Sequence, residues 1–92
     1  MPRILLTPHL YRFFPVLKEC NLDVPQGSVA EVLRAVDRIA PGFSDYLLDE
    51  RGSLRRHVNV AVDGVNVVDR GRLSDWVGDR GIVHVFQALS GG

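Results

Sequence analysis

The chain is poor in the residues that would support several common functions. Its 92 residues contain one cysteine, Cys20, so no internal disulfide can form and nothing favours an oxidising compartment. Formal net charge is zero, which argues against a nucleic-acid-binding surface, because such a surface needs a cationic excess. No apolar run approaches the roughly 18 residues of a membrane span, and the segment before Pro8 is too short for a signal peptide. We therefore expect a soluble cytoplasmic protein that binds neither nucleic acid nor membrane.

The side-chain patterns of catalytic centres are also missing. His9, His57 and His84 lie on separate segments, without cysteine or carboxylate partners at metal-ligand spacing, so we expect no metal site. Ser90 lacks the G-x-S-x-G context of an activated serine, and the glycines do not form a phosphate-binding pattern. The sequence therefore predicts a protein that is not an enzyme.

What the chain does contain is the pattern of one small folded domain. It is 46% hydrophobic and 24% charged, close to the average of globular proteins. Runs of alternating or continuous apolar residues, bounded by proline, glycine and aspartate, predict strands. The predicted strands are Arg3–Thr7, Glu19–Val24, His57–Val62, Val65–Val68 and Ile82–Ala88. Asp63-Gly64, between the third and fourth, is a dipeptide typical of a two-residue hairpin turn.

One helix is predicted by local chemistry. Ser28 and Glu31 match a capping box, in which the serine hydroxyl accepts from a backbone N–H three residues on. The apolar residues that follow fall on one helical stripe, and Pro41-Gly42 ends the element. The stripe consists of Val29, Val32, Leu33, Val36, Ile39 and Ala40. This amphipathic helix needs an apolar surface to cover it.

The remaining segments are less regular. His9–Leu17 is interpreted as a turn or loop packed by its aromatic side chains, with Pro8 ending the first strand. Phe43–Leu48 predicts one helical turn. Leu73–Val77 predicts another single turn, with Trp76 in the core.

These elements together predict an α+β roll. We expect a mixed sheet of about five strands with one main helix packed on one face, and the first and last strands at its centre because both are apolar on both faces. The domain should span residues 1–88, followed by a flexible tail over residues 89–92.

The tail, Leu89-Ser90-Gly91-Gly92, ends in a diglycine that we expect to be the true C-terminus of the protein. Glycine has no Cβ, so this end can thread a slot too narrow for other dipeptides. An α-carboxylate is an anion at neutral pH and a poor electrophile, so it becomes reactive only if a partner activates it. The pattern therefore favours a carrier whose terminus is modified.

The order of elements, the His57–Gly64 strand and hairpin, and the Asp79–Gly92 stretch ending in diglycine are similar to one known group. The chain resembles ubiquitin-like β-grasp proteins and, among them, the ThiS/MoaD sulfur carriers. The resemblance covers nearly the whole chain and implies a β-grasp fold.

This resemblance also implies a mechanism and its partners. An adenylating activating enzyme uses ATP on the carboxylate of Gly92, a sulfur donor converts the adenylate to a thiocarboxylate, and a sulfur-acceptor enzyme receives the sulfur for cofactor or metabolite biosynthesis. The chain itself is implied to bind no cofactor.

A carrier also needs a docking face. Val83 and Val85 should point into the core, so the other side of the last strand and of the third strand should form a partner-binding patch. Its predicted members are Phe86, His84, Ala88, Ala61 and Asn59. The alternative is that Phe86 is covered by Phe13, Phe14 or the Leu47 segment.

Two other function classes remain open. The same features fit a ubiquitin-like modifier, in which Gly92 forms an isopeptide bond with a lysine of a target protein. They also fit a β-grasp interaction module whose diglycine is incidental.

Overall fold

The computed structural model describes residues 2–19 and 24–87, without the side chains of His9 and Glu19. Within these residues the chain forms six strands and four helices. In chain order they are β1 (Arg3–Leu6), α1 (Pro8–Phe13), α2 (Val16–Glu19), β2 (Gly27–Ser28), α3 (Val29–Ile39), α4 (Phe43–Leu47), β3 (Val58–Val62), β4 (Val65–Asn66), β5 (Trp76–Val77) and β6 (Ile82–Gln87).

A four-stranded mixed sheet forms the centre of this structure, in the order β1-β6-β3-β4. β1 pairs parallel with β6, while β3 pairs antiparallel with both β6 and β4. β2 and β5 form a separate two-stranded antiparallel sheet. The predicted α+β class and mixed sheet are confirmed, and so is the central place of the last strand; β1 instead takes an outer position in the described sheet.

The main helix, α3, lies where the sequence predicts it. The Ser28 hydroxyl oxygen accepts a hydrogen bond from the Glu31 backbone N–H at 3.2 Å, which caps the first turn. Val29, Val32, Leu33 and Val36 are buried. They join inward side chains of the sheet in one core; those sheet residues are Ile4, Leu6, Val58, Val60, Val83 and Val85. Period-two alternation explains why these residues share one face.

The hairpin between β3 and β4 is also confirmed. Asp63 and Gly64 both have positive φ, at 51° and 84°, as a tight turn between twisted strands requires. Val62 pairs with Val65 across it. The Asp63 carboxylate accepts from the Ile82 backbone N–H at 2.9 Å, so the turn is also tied to β6.

The segment after β1 differs from the prediction of a turn or loop. It forms α1 and α2, because Pro8 occupies the first turn of α1, where its fixed φ suits a helix and its missing N–H costs no hydrogen bond. The expected aromatic packing is present: the Phe14 ring lies edge-on to Phe43, with centroids 5.3 Å apart. The predicted turn at Phe43–Leu48 is confirmed as α4.

Of two other predictions, one falls mostly outside the described residues and one is wrong. The strand predicted at Glu19–Val24 falls mostly on residues outside the described chain; Glu19 closes α2, and Val24 is buried in the core. Trp76 is 64% exposed rather than in the core. It lies in β5, where its neighbour Val77 takes the inward position, so alternation turns the indole outward.

Candidate functional site

The candidate site is built around the end of β6, the strand that leads into the diglycine segment. Leu6 pairs with Val85 on one side of β6, and Val58 pairs with Gln87 on the other. Hydrogen-bonded neighbours on both edges and buried Val83 and Val85 hold β6 at the centre of the described sheet. Gln87, the last described residue of the strand, is therefore held in a fixed position.

The side chain of Gln87 fixes this point further. Its Nε2 donates a hydrogen bond to the Tyr46 hydroxyl oxygen at 2.9 Å, which links the end of β6 to α4. The Tyr46 ring packs against Phe13 and Phe14, with centroids 5.4 and 5.8 Å apart. The end of the strand is thus anchored to an aromatic cluster contributed by α1, Phe14 and α4.

The carboxylate of Asp37 secures α4 in turn. It accepts from the Ser44 backbone N–H at 2.9 Å, which joins the end of α3 to the start of α4. The backbone N–H of Ser44 is the main cause that lowers the pKa of the Asp37 carboxyl, because a hydrogen bond to the charged form favours that form.

The predicted tail residues themselves lie outside the described chain. These are Leu89, Ser90, Gly91 and Gly92, together with Ala88 of the predicted patch. The predicted boundary between the domain at residues 1–88 and the tail stays a prediction, with Gln87 the last described residue before it.

The outer face of the sheet, which is the face away from α3, carries the other predicted patch residues. His84 is exposed and Phe86 half-buried, with their ring centroids 5.3 Å apart. Asn59 pairs with Phe86 and is half-buried, and Ala61 pairs with His84. Ala61 stands outside the core cluster but is only 6% exposed, so it is buried and not part of an exposed patch as predicted. The structure thus brings these four residues together on two adjacent strands.

Two further apolar residues lie on this face. Ile82 on β6, which strand alternation already places on the outward side, is 36% exposed, and Leu5 on β1, which the sequence reasoning missed, is 42% exposed and pairs with His84. Leu5 is an outward position of a strand whose alternation was recognised, so period two alone could have found it. The rings of Phe13 and Phe14, which were candidates to cover Phe86, pack on α4 instead.

Arg70 was also missed. Its guanidinium donates to the Asn59 Oδ1 at 3.2 Å and to the backbone carbonyl oxygens of Arg55 and Val58 at 2.9 and 2.7 Å. These contacts bind the loop between β4 and β5 to the start of β3, where Val58 lies opposite Gln87. A single arginine in a loop gives no periodic signal, so the sequence could not indicate this role.

The loop that carries Arg70 is itself held by carboxylates. Asp69 accepts from the Ser74 hydroxyl at 2.7 Å and from the Arg72 backbone N–H at 2.9 Å. The Ser74 hydroxyl is the main cause that lowers the pKa of the Asp69 carboxyl. Asp75 accepts from the backbone N–H groups of Val68 and Asp69, both at 3.1 Å. Arg70 is therefore presented from an ordered turn.

Neither a metal centre nor a membrane-spanning helix is found in the described part of the chain. Across residues 2–19 and 24–87, no three histidine, cysteine, aspartate or glutamate side chains come together as metal ligands. The described helices are all too short to cross a bilayer.

Comparison with known proteins places the fold. No protein-family model and no curated protein sequence matches the chain. Among solved structures, the chain is similar to ubiquitin-like β-grasp proteins, and this likeness establishes its fold.

Three of these structures match over nearly their whole length. The structure of the Amycolatopsis orientalis BexX/CysO complex matches with a TM-score of 0.81, at 23% identity over 100% of this chain and 100% of the matched chain. Mycobacterium tuberculosis CysO matches with a TM-score of 0.79, at 19% identity over 97% of this chain and 100% of that chain. Haloferax volcanii SAMP1 matches with a TM-score of 0.73, at 21% identity over 99% and 98% of the two chains. CysO and SAMP1 are ubiquitin-like sulfur-carrier proteins of the ThiS/MoaD type.

Proposed function

We propose that this chain is a sulfur-carrier protein whose C-terminal Gly92 carboxylate is converted to a thiocarboxylate. The observation that carries the proposal is the course of β6, a central strand held on both edges that leads directly into the diglycine segment. Its fold is shared with the sulfur carriers CysO and SAMP1, which supports the general class.

The chemistry requires a partner enzyme with ATP. A carboxylate oxygen of Gly92 attacks the α-phosphorus of ATP, and pyrophosphate leaves as the acyl-adenylate forms. Hydrosulfide or an equivalent sulfur donor then attacks the acyl carbon, the bond to the AMP oxygen breaks, and a proton is released to solvent. The products are AMP and a thiocarboxylate, so the chain is acted on rather than catalytic.

The length and the glycine residues of the C-terminal segment suit this role. Five residues follow Gln87, and extended they reach at most about 18 Å, enough to bring the carboxylate into a buried site of another protein. Gly91 and Gly92 have no side chains to clash with the walls of a narrow channel. A closed site would also keep water from hydrolysing the adenylate. Gln87, the anchored last described residue of β6, gives the partner a fixed reference close to the start of the predicted tail.

We propose the outer face as the surface that partners contact. Phe86, His84 and Asn59, joined by Ala88 beyond the described strand, would form its centre, and Leu5 and Ile82 extend it. Aromatic and aliphatic side chains at the middle of a contact supply most of its binding energy. The activating enzyme and a sulfur-acceptor enzyme would use this face in turn; that CysO is found in a complex with BexX supports an enzyme partner. We place these encounters in the cytoplasm.

A second candidate is a ubiquitin-like protein modifier, which the shared ubiquitin-like fold favours. The same adenylate would then be attacked by the ε-amine of a lysine on a target protein, and an isopeptide bond would replace the bond to AMP. The two candidates differ in the nucleophile and therefore in the product.

Reconstitution tests the proposal. Each adenylating enzyme of the source organism is incubated with the chain and ATP, and pyrophosphate exchange is measured, followed by intact mass after addition of sulfide. We expect one enzyme to give exchange and a thiocarboxylate product. Deleting Gly92 should abolish exchange while leaving the melting temperature within about 2 °C, since a terminal residue contributes little to stability. Exchange that persists without Gly92, or a wild-type chain that supports none, would exclude the proposed chemistry.

A further inference from the structure

A group of basic side chains lies beside the last described residue of β6, Gln87. Arg55, Arg56 and His57 directly precede Val58, and Val58 lies opposite Gln87 in the β3–β6 register. Arg70 reaches the same place through its hydrogen bond to the Val58 carbonyl oxygen. We call Arg55, Arg56, His57 and Arg70 the basic collar. The antiparallel register of β3 and β6 is what places it beside the start of the tail.

Two members of the collar, Arg55 and Arg70, are ordered by contacts that leave their charge in place. The three acceptors of the Arg70 guanidinium, one amide oxygen and two backbone carbonyls, are neutral. Arg55 donates from Nε and Nη2 to the Asp45 backbone carbonyl oxygen at 3.3 and 3.1 Å, again a neutral acceptor. Neutral acceptors fix a guanidinium without cancelling its charge. Such preorganised charges suit recognition of an anionic partner.

The surface at the collar carries an excess of positive charge. Three arginines and His57 line one shallow depression together with Leu54 and a single carboxylate, Asp49. The Asp49 carboxylate accepts from the backbone N–H groups of Arg51 and Ser53, at 2.9 and 3.1 Å, and keeps its negative charge, so three arginines are set against one carboxylate. A local excess of this kind stands out on a chain whose formal net charge is zero.

We propose that the basic collar docks against an acidic protein surface that borders the opening through which the activating enzyme admits the tail. This inference rests on the proposed function and names the chemistry of the partner surface. The collar lies at the base of the tail, whereas the nucleotide must meet its tip, up to about 18 Å away along the extended chain. The arginines therefore face carboxylates of the partner protein rather than the phosphates of ATP.

The basic collar and the outer face together form one continuous surface. Arg70 donates to Asn59, and Asn59 pairs with Phe86, so charged and apolar contacts adjoin without a gap. An apolar centre with a charged rim is the usual arrangement of a specific protein contact, and rim charges act mainly on the rate of association. The collar thus orients the tail toward the opening during approach.

A charge-matched pair of variants tests the inference. Arg56→Glu reverses an exposed charge of the collar, and Arg34→Glu makes the same change on the exposed face of α3, where Arg34 lines a different depression with Ser28 and Arg72. Pyrophosphate exchange is measured with the adenylating enzyme that accepts the wild-type chain, over a range of salt concentrations. We expect Arg56→Glu to lower kcat/KM for the carrier about tenfold at low salt, with the difference shrinking at high salt, while Arg34→Glu stays within about twofold of wild type.

The outcomes separate this inference from the proposed function. A wild-type chain that supports no exchange with any adenylating enzyme overturns the function itself, and the inference with it. If the wild-type chain supports exchange but Arg56→Glu and Arg34→Glu change kcat/KM equally, the collar proposal alone is overturned. A loss of kcat/KM in Arg56→Glu that high salt does not reduce overturns the collar proposal as well. A rise in KM for ATP rather than for the carrier assigns the arginines to phosphate and likewise contradicts the proposal. Arg55→Gln combined with Arg56→Gln, checked by thermal unfolding, gives the same test without charge reversal.

Discussion

At the scale of single residues, adjacent positions on β6 have opposite roles. Val85 is fully buried in the core, while the next residue, Phe86, turns to the outer face and lies against His84. One side chain therefore holds the domain together and its neighbour is available to a partner. Substitutions at these two positions should separate folding from binding.

We predict that Phe86→Ala weakens binding to the activating enzyme by about tenfold or more but lowers the free energy of unfolding by only about 1 kcal/mol, because Phe86 is half-buried. Val85→Ala is the matched control and should cost about 2 kcal/mol of unfolding free energy through the cavity it leaves. Urea unfolding and titration calorimetry measure the two effects. A loss of about 3 kcal/mol or more for Phe86→Ala would place the ring in the core and remove it from the docking face.

Asp37 gives a prediction for acid stability. The pKa of its carboxyl is lowered in the folded chain, mainly by the Ser44 backbone N–H, relative to about 3.9 in unfolded chains. The Asp37 carboxylate therefore contributes its full stabilisation at pH values above the pKa that it has in the unfolded chain. This contribution is lost as the pH falls through the pKa that it has in the folded chain. Asp37→Asn, which keeps an oxygen acceptor for Ser44, should flatten the fall in unfolding free energy below about pH 5. Urea midpoints from about pH 7 down to pH 3 that run parallel for variant and wild type would contradict this role.

At the scale of elements, α3 depends on its apolar stripe. Val32 is fully buried at the middle of that stripe. Val32→Asp should unfold the domain, because it removes about 2 kcal/mol of burial and forces a charge into the core, against a typical total stability of 5 to 15 kcal/mol. Arg34→Asp changes an exposed position of the same helix and should remain folded. A native circular-dichroism spectrum for Val32→Asp would show that the phase of the helix is wrong.

Elements with strong local signals could be predicted from the sequence. The Ser28 cap of α3, the apolar stripe behind it and the Asp63-Gly64 turn each depend on a few neighbouring residues, and all three are confirmed. The other half of the predicted capping box differs, because the Glu31 carboxylate accepts from the Ser28 hydroxyl at 3.2 Å. The helix at Pro8–Phe13 was missed because a proline that ends a strand can equally begin a helix. Trp76 was misplaced because the pairing of β5 with β2 is a long-range contact that no local pattern reveals.

At the scale of the whole molecule, the two faces of the sheet have different roles. Its inner face and α3 form the core, and its outer face, the end of β6 and the basic collar lie where other proteins can reach them. The outer patch followed from strand alternation in the sequence. The sequence shows Arg55-Arg56 as a basic pair that could contact an acidic rim of a partner. It does not show that Arg70 joins this pair or that the pair lies beside the end of β6, because both depend on the folded register of β3. We therefore attribute the proposed carrier function to the outer face, the end of β6 and the basic collar acting together.

The covalent state of the C-terminus in the native host tests the central claim most directly. We predict that intact-protein mass spectrometry finds a fraction of the chain heavier by the difference between one sulfur and one oxygen atom, with fragmentation placing the change on Gly92. Chains linked through Gly92 to lysines of other proteins would instead assign the modifier function. An unmodified carboxylate under sulfur-replete conditions, or a permanent extension beyond Gly92, would contradict the account.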